Sequence, residues 1–315
     1  MARAGAPGDD GRVAIGVDVG GTHLRFGVVE GGRVVWQQRR APHLARMVEA
    51  DRPAEGKALV LRQLEEGILD ALATRRDVEA VGLAFPGFFD PRSRLLRLSP
   101  NLPGLVDVNL EAPLTARLGL PVVVENDALA AATGEWALHP ASPRDLLYIG
   151  LGTGIGGGVV LDGVPRRGDH GVAMEVGHII VEPGGRPCGC GNHGCLEQYA
   201  SATGIRQSYA EGKGDVLEAI EIADRAHDGD ARARSAFSRA GAALGFVVAH
   251  LAKVLDVSDL VIGGGVARSW DLCDVAFQRR LEHDLLPVLR GKLRVRISEA
   301  EDRAGMIGAA HLALA

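Results

Sequence analysis

The chain has 315 residues, 46% of them hydrophobic and 24% charged. That is enough apolar material for two domains or one large one, and too much for a disordered chain. Thirty-five Lys and Arg against 40 Asp and Glu leave a net charge of −5, so no positive field draws the chain to nucleic acid or to anionic lipid. Met1 to Gly11 lacks the apolar stretch of a signal peptide, and no uninterrupted apolar run reaches the ~18 residues that span a bilayer. Four cysteines are too few for a disulfide scaffold at this length, so a cytoplasmic protein is expected.

Val13–Val19 reads VAIGVDV, short, β-branched and bounded by glycine, the pattern of a buried strand. LRFGVVE and GRVVWQQ follow, with Glu30-Gly31-Gly32 as a hairpin signal between them. Leu59, Leu61, Leu64, Ile68, Leu69 and Leu72 recur at mostly helical spacing and predict a helix over residues 55–74. Strand VEAVGLAF comes next, then a helical segment around Leu110 to Leu118, strand PVVVEND and a helix through Ala128 to Trp136. Hairpin strands followed by strands alternating with helices make an α/β plan with a mixed sheet.

After Trp136 the plan starts again. DLLYIGLGTGIGGGVVLDG is a strand, a glycine turn and a strand, like IGVDVGGTHLRFGVVEGG before it. Ile15-Gly16 corresponds to Ile149-Gly150, Gly20-Gly21-Thr22 to Gly152-Thr153-Gly154, and Val28-Val29 to Val159-Val160. The helical patterns LEAIEIADRA and FSRAGAALGFVVAHLAKVL precede strands DLVIGGGV and LRVRISE, and Ala304 to Leu314 forms a final helix. A half-chain repeat implies two similar lobes, 12–132 with the helix 304–315 and 133–303, and a cleft that both glycine tips face.

Gly152-x-Gly154-x-x-Gly157 matches a dinucleotide fingerprint by letter, but that fingerprint needs a helix after the loop, and Gly158-Val159-Val160-Leu161 is strand. No GK[ST] occurs, which excludes a P-loop. What remains is a pair of hairpin tips, Gly20 to Thr22 and Gly152 to Gly154, whose bare N–H groups and threonine hydroxyls suit phosphate oxygens. Asp18 ends the first strand two residues before Gly20. It suits Mg2+ reached through water beside nucleotide phosphates, or else it pairs locally with a threonine or backbone amides.

His178, Cys188, Cys190 and Cys195 stand as H-x9-C-x-C-x4-C, a complete tetrahedral set for a structural Zn2+. His193, between the last two cysteines, competes as the nitrogen ligand, while Cys273 is remote and reads as an ordinary buried thiol. A metal loop would hold Glu197 and His178 with little freedom and keep that ring uncharged, its second N–H turned to a sugar hydroxyl. Glu197 as a plain helix N-terminal residue is the alternative. Glu125-Asn126-Asp127 ends one strand and opens a helix, so Asn or Asp either caps that helix or, as Asp127, accepts the proton of an attacking hydroxyl.

Together DVGGTHLRFGVV, PNLPG, VENDA, LGTGIGGG, EVGH and CGCGNHGCLE resemble the ROK family of bacterial sugar kinases, within the actin and hexokinase superfamily, from about Val13 onward. The resemblance implies two ribonuclease-H-like lobes and ATP-dependent phosphorylation of a hexose 6-hydroxyl. Carried over by position, it makes Asp127 the general base and gives sugar binding to Asn101, Asn126, Glu175, His178 and Glu197. It assigns phosphates to Gly20, Gly21, Thr22, Gly152, Thr153 and Gly154, and adenosine to Gly263, Gly264 and Gly265. A homodimer is expected on the same ground. Leu129, where many relatives have Asn, and Met174, where a small residue is usual, depart from the pattern and bear on which sugar is taken. Glucose is the expected substrate, with mannose, fructose, N-acetylated hexosamines and a cyclitol open; ATP is preferred to polyphosphate because GGGV is intact. The non-enzymatic alternative in the same family is a sugar-sensing repressor. It needs a helix-turn-helix module, for which the twelve residues before Val13 leave no room.

Overall fold

A computed structural model describes residues 11–48, 53–139, 144–211, 216–300 and 303–315. The first half contains β1 (Val13–Val19), β2 (Leu24–Glu30), β3 (Arg33–Arg40), α1 (Leu44–Met47), α2 (Pro53–Thr74) and β4 (Ala80–Phe85). It continues through β5 (Phe88–Phe89), β6 (Leu96–Leu98), β7 (Val106–Val108), α3 (Glu111–Leu118), β8 (Val122–Asn126) and α4 (Asp127–Leu138). The second half runs β9 (Leu146–Leu151), β10 (Ile155–Leu161), β11 (Val164–Pro165), α5 (Glu197–Ala200), α6 (Ala202–Ala210), α7 (Ala219–His227) and α8 (Ala231–Leu255). It closes with β12 (Asp259–Gly263), α9 (Asp271–Asp284), β13 (Arg294–Ile297) and α10 (Ala304–Leu314). The chain divides into two compact units: unit 1 is Met1–Arg144, Gly158–Ala173 and Asp302–Ala315, and unit 2 is Asp145–Gly157 and Met174–Glu301.

The first sheet of unit 1 has the order β3-β2-β1-β4-β8, antiparallel through the two hairpins and parallel from β1 through β4 to β8. Val13, Ile15, Val17 and Val19 pack into a core with Phe26 and with Val60, Leu64 and Ile68 of α2, which is why a β-branched run with no polar alternation forms this strand. On the other face α10 lies backbone against backbone. A Cβ at Gly16 would stand 1.9 Å from Met306 O, and one at Gly82 1.8 Å from Ala309 O. Only glycine permits that approach. At the carboxyl ends of the parallel strands, Asp18, Ala84 and Glu125 lie side by side in register. Strand spacing of ~4.8 Å then puts the β1 and β8 termini about 10 Å apart along one edge.

The second sheet repeats the plan with the order β11-β10-β9-β12-β13, and in unit 2 β9, β12 and β13 are parallel with Ile149, Ile262 and Ile297 in register. Two sheets of matching order, each opened by a glycine-tipped hairpin, give the α/β architecture of two ribonuclease-H-like lobes. In unit 2, α8 packs on α5, α6, α7 and α9. Among the described residues it is the one helix long and apolar enough by length and composition to cross a bilayer, yet Phe237, Leu244, Val247 and Val248 are buried in protein. A small antiparallel sheet, β5-β6-β7, carries strands of two or three residues, too short for any periodicity to betray.

Candidate active site

In unit 1 the tip Gly20–Thr22 joins β1 to β2. Gly20 N–H donates to His23 O at 2.8 Å and Ala45 N–H to Gly21 O at 2.9 Å, so the first glycine of the tip closes the turn, leaving Gly21, Thr22 and the exposed threonine hydroxyl as donors. Arg25, directly opposite on β2, donates to Asp18 Oδ2 at 2.9 Å. A single carboxylate at a strand end suits a hydrated Mg2+, which keeps several waters and takes few protein oxygens.

At the far end of the same edge, β8 passes straight into α4. Asn126 caps the helix, its Oδ1 accepting from Ala128 N–H and Leu129 N–H at 3.0 Å each, while its Nδ2 donates to Gly87 O at 3.1 Å. Asn126 therefore does perform the capping role that spacing suggested, and one amide hydrogen is left for a ligand. Asp127, the first helical residue, accepts from Ala128 N–H at 2.8 Å. Burial pushes its carboxyl above the usual range, against the lowering effect of that hydrogen bond. Behind it Glu125, 3% exposed, accepts from Asn126 N–H at 3.0 Å and pairs with Arg167. Asn101 stands exposed in the turn after β6, where the buried Leu102 and Leu105 anchor the chain.

In unit 2 the second tip is tied down from three directions. Gly152 N–H donates to Gly154 O at 2.9 Å, Ala202 N–H to Gly152 O at 2.9 Å, and Thr203 Oγ1 to Thr153 O at 3.0 Å. Glu197 opens α5, as its plainer reading proposed, but its Oε2 also accepts from Ile155 N–H at 3.0 Å. A Cβ on Gly154 would lie 2.4 Å from that oxygen, so this glycine makes room for Glu197 as well as for any phosphate. Gly263–Gly265 ends β12, and Gly264, at φ +86°, packs so closely that a Cβ would be 2.4 Å from Leu151 O. Of the three glycine segments that the resemblance gives to nucleotide, the two in unit 2 lie together at the carboxyl ends of β9 and β12.

Glu175 sits in an inverse γ-turn at φ −68° and ψ 55°, closed by Val176 N–H on Met174 O at 2.7 Å. Met174 is held at φ +69°, a left-handed conformation uncommon for a residue with a side chain. His178 presents its two nitrogens to different partners: Nδ1 lies 3.6 Å from Cys188 Sγ and Nε2 3.8 Å from Glu175 Oε2. Ligand atoms of His178, Cys188, Cys190 and Cys195 all fall within 4.8 Å of one another, with Cys190 and Cys195 sulfurs 3.6 Å apart. Zinc bond lengths make tetrahedral edges about 3.8 Å between sulfurs and about 3.6 Å from sulfur to nitrogen, so the donors fit. His193 is not in the set and bridges to Pro187 through backbone. The Asn192 backbone pulls the Cys190 thiol down, whereas burial and the neighbouring thiols push Cys195 up to about 12. Three thiols so close cannot all ionise without a cation, which is what a divalent metal supplies. Gln198 Nε2 donates to Cys188 Sγ at 3.6 Å, an outer contact that spacing did not reveal.

The ROK family profile matches residues 14–315. The chain belongs to the ROK family. It is 33% identical over 314 residues to a glucokinase of Thermotoga maritima, covering 95% of this chain and 96% of that protein. Among solved structures, a ROK family glucokinase from Streptomyces griseus in complex with glucose and AMPPNP is 34% identical with a TM-score of 0.79, over 96% of this chain and 99% of that one. A ROK hexokinase from Thermus thermophilus is 32% identical with a TM-score of 0.81, over 96% of this chain and 98% of that one. Two readings not reached from sequence are Arg25 against Asp18 and Arg167 against Glu125. The first was open to hairpin counting, because Val19 pairs with Leu24 and the next pair outward is Asp18 with Arg25. The second joins residues with no shared period.

Proposed function

We propose that this ROK protein transfers the γ-phosphoryl group of ATP to the 6-hydroxyl of a hexose, and that the hexose is glucose. The observation that carries the reading is the placement of Asp127: its carboxyl is held at the first position of α4, next to the Asn126 cap and on the Ala128 N–H. The hydroxyl oxygen attacks phosphorus, its proton passes to Asp127 and ADP leaves. On the family resemblance, Asn101, Asn126, Glu175, His178 and Glu197 are the residues offered to sugar hydroxyls. Such polar pairing rejects an analogue lacking a hydroxyl far better than an apolar wall rejects an extra methylene. The donors of Gly21, Thr22, Thr153 and Gly154 offset phosphate charge, with Gly263–Gly265 toward adenosine. Asp18 would hold Mg2+ through water, and the ion would supply neutralisation of phosphate charge.

The ion of the thiolate set is taken as structural Zn2+, since four closed ligands leave no open position for catalysis. Four free cysteines suit a reducing compartment, and we place the enzyme in the cytoplasm, at the glucose-phosphorylating step, as a homodimer. The test is coupled ADP release with ATP over glucose, mannose, fructose, N-acetylmannosamine and N-acetylglucosamine. Glucose is expected to give the highest kcat/KM. Sugar-independent ADP release, or none with any sugar, would end the kinase reading, and a higher value for an N-acetylated sugar would end the glucose assignment.

A further inference from the structure

Glu125 is the one buried carboxylate at the catalytic edge that the proposed mechanism leaves without a task. A buried charge is costly unless it is paired and hydrogen-bonded, and this one is both: Oε2 meets Arg167 Nε, and Oε1 accepts from Asn126 N–H at 3.0 Å. Arg167 is itself fixed. Its carbonyl accepts from Ala173 N–H at 3.2 Å, closing a loop whose Gly171 packs so tightly that a Cβ would be 1.9 Å from Phe89 O. An unbroken chain of contacts follows, from Arg167 to Glu125, to the Asn126 amide, through the Asn126 Oδ1 cap to the Ala128 N–H that also holds Asp127.

We infer that Glu125 and Arg167 are positioning residues, which set the orientation of the Asp127 carboxylate by fixing the backbone of Asn126 from behind. The inference rests on Asp127 as the base. Neither side chain touches substrate in this role, so their loss acts on the chemical step and leaves sugar binding nearly as it was. A displacement near 1 Å at a reacting group costs on the order of 100-fold. Arg167→Ala should therefore lower kcat by about that factor with the KM for sugar little changed, and added guanidinium at a non-denaturing concentration should restore part of the loss. Glu125→Gln, which keeps an acceptor for the Asn126 N–H, should lose about tenfold, within the range of a weakened positioning contact.

The deciding variant is the double Glu125→Leu/Arg167→Met. Arg167 is 35% exposed and only Glu125 is buried, so exchanging both for apolar groups of similar size leaves no charge stranded and the fold should survive. Turnover should stay low nonetheless, because Asn126 N–H has lost its acceptor. Parent and Asp127→Asn are measured beside these variants. Turnover in Asp127→Asn near that of the parent would overturn the base assignment itself. With Asp127→Asn inactive, a double variant within threefold of the parent, or Arg167→Ala losing only melting temperature or only sugar KM, would overturn the positioning role alone.

Discussion

The contact between Gly154 and Glu197 makes a decisive substitution of one methyl group. In Gly154→Ala the new Cβ would stand 2.4 Å from Glu197 Oε2, whereas carbon and oxygen rest no closer than about 3.3 Å. The backbone of Gly154 has negative φ and tolerates alanine, and Ala202 N–H on Gly152 O holds the tip in place. Glu197 is thus the partner that moves, by about 0.9 Å, and in doing so it stretches its hydrogen bond from Ile155 N–H beyond useful length. If Glu197 holds the sugar as proposed, a shift of that size predicts about a 100-fold fall in kcat/KM for sugar, or about 2.7 kcal/mol. The KM for ATP should change much less. Steady-state kinetics with each substrate varied in turn separates the two. Gly154→Ala/Glu197→Asp, whose shorter side chain draws the carboxylate back, should recover part of the loss. An unaltered kcat/KM for sugar in Gly154→Ala, or a defect confined to ATP, would refute the reasoning.

Asp127→Asn should lose about 10³-fold in kcat, measured by ADP release, while isothermal titration finds sugar binding nearly intact. The same variant should be more stable than the parent at pH 7. Burial raises the folded carboxyl above its ordinary 3.8, so the folded state holds the proton longer and the parent loses stability as pH rises through the window between the two pKa values. The advantage should vanish in urea melts below that window. Removing the metal by chelation, or by Cys195→Ser, should lower the melting temperature and abolish about one equivalent of zinc per chain in elemental analysis. Gly16→Ala places a Cβ 1.9 Å from a main-chain oxygen that cannot step aside, and should destabilise by at least 1–3 kcal/mol in denaturant titration.

Much of this arrangement is legible in residue order because the chemistry is local. The two hairpin tips announce themselves through glycine flanked by β-branched strands, and the metal set through cysteines close enough to share one loop. Where long-range packing decides, periodicity is silent. The α8 helix begins at Ala231 rather than with the apolar run at Phe237, because Asp230 accepts from Arg232 N–H at 2.8 Å and from Ala233 N–H at 3.1 Å. That cap is a single polar residue ahead of an arginine-rich turn. The glycines at 20 and 152 look like free phosphate donors in one dimension, yet each has its N–H committed to closing its own turn. Glu197 reads as either a ligand residue or a helix opener, and it is a helix opener whose carboxylate still reaches the neighbouring strand.

The helix α10 has a consequence for biosynthesis. Its glycine-seated contacts lie against β1 and β4, which leave the ribosome long before it does, and all of unit 2 is made in between. A nascent chain can therefore complete the inserted unit first, while the backbone at Gly16 and Gly82 stays uncovered until α10 emerges. Ribosome-bound fragments ending before Ala304 would carry that open seam to any chaperone that meets them.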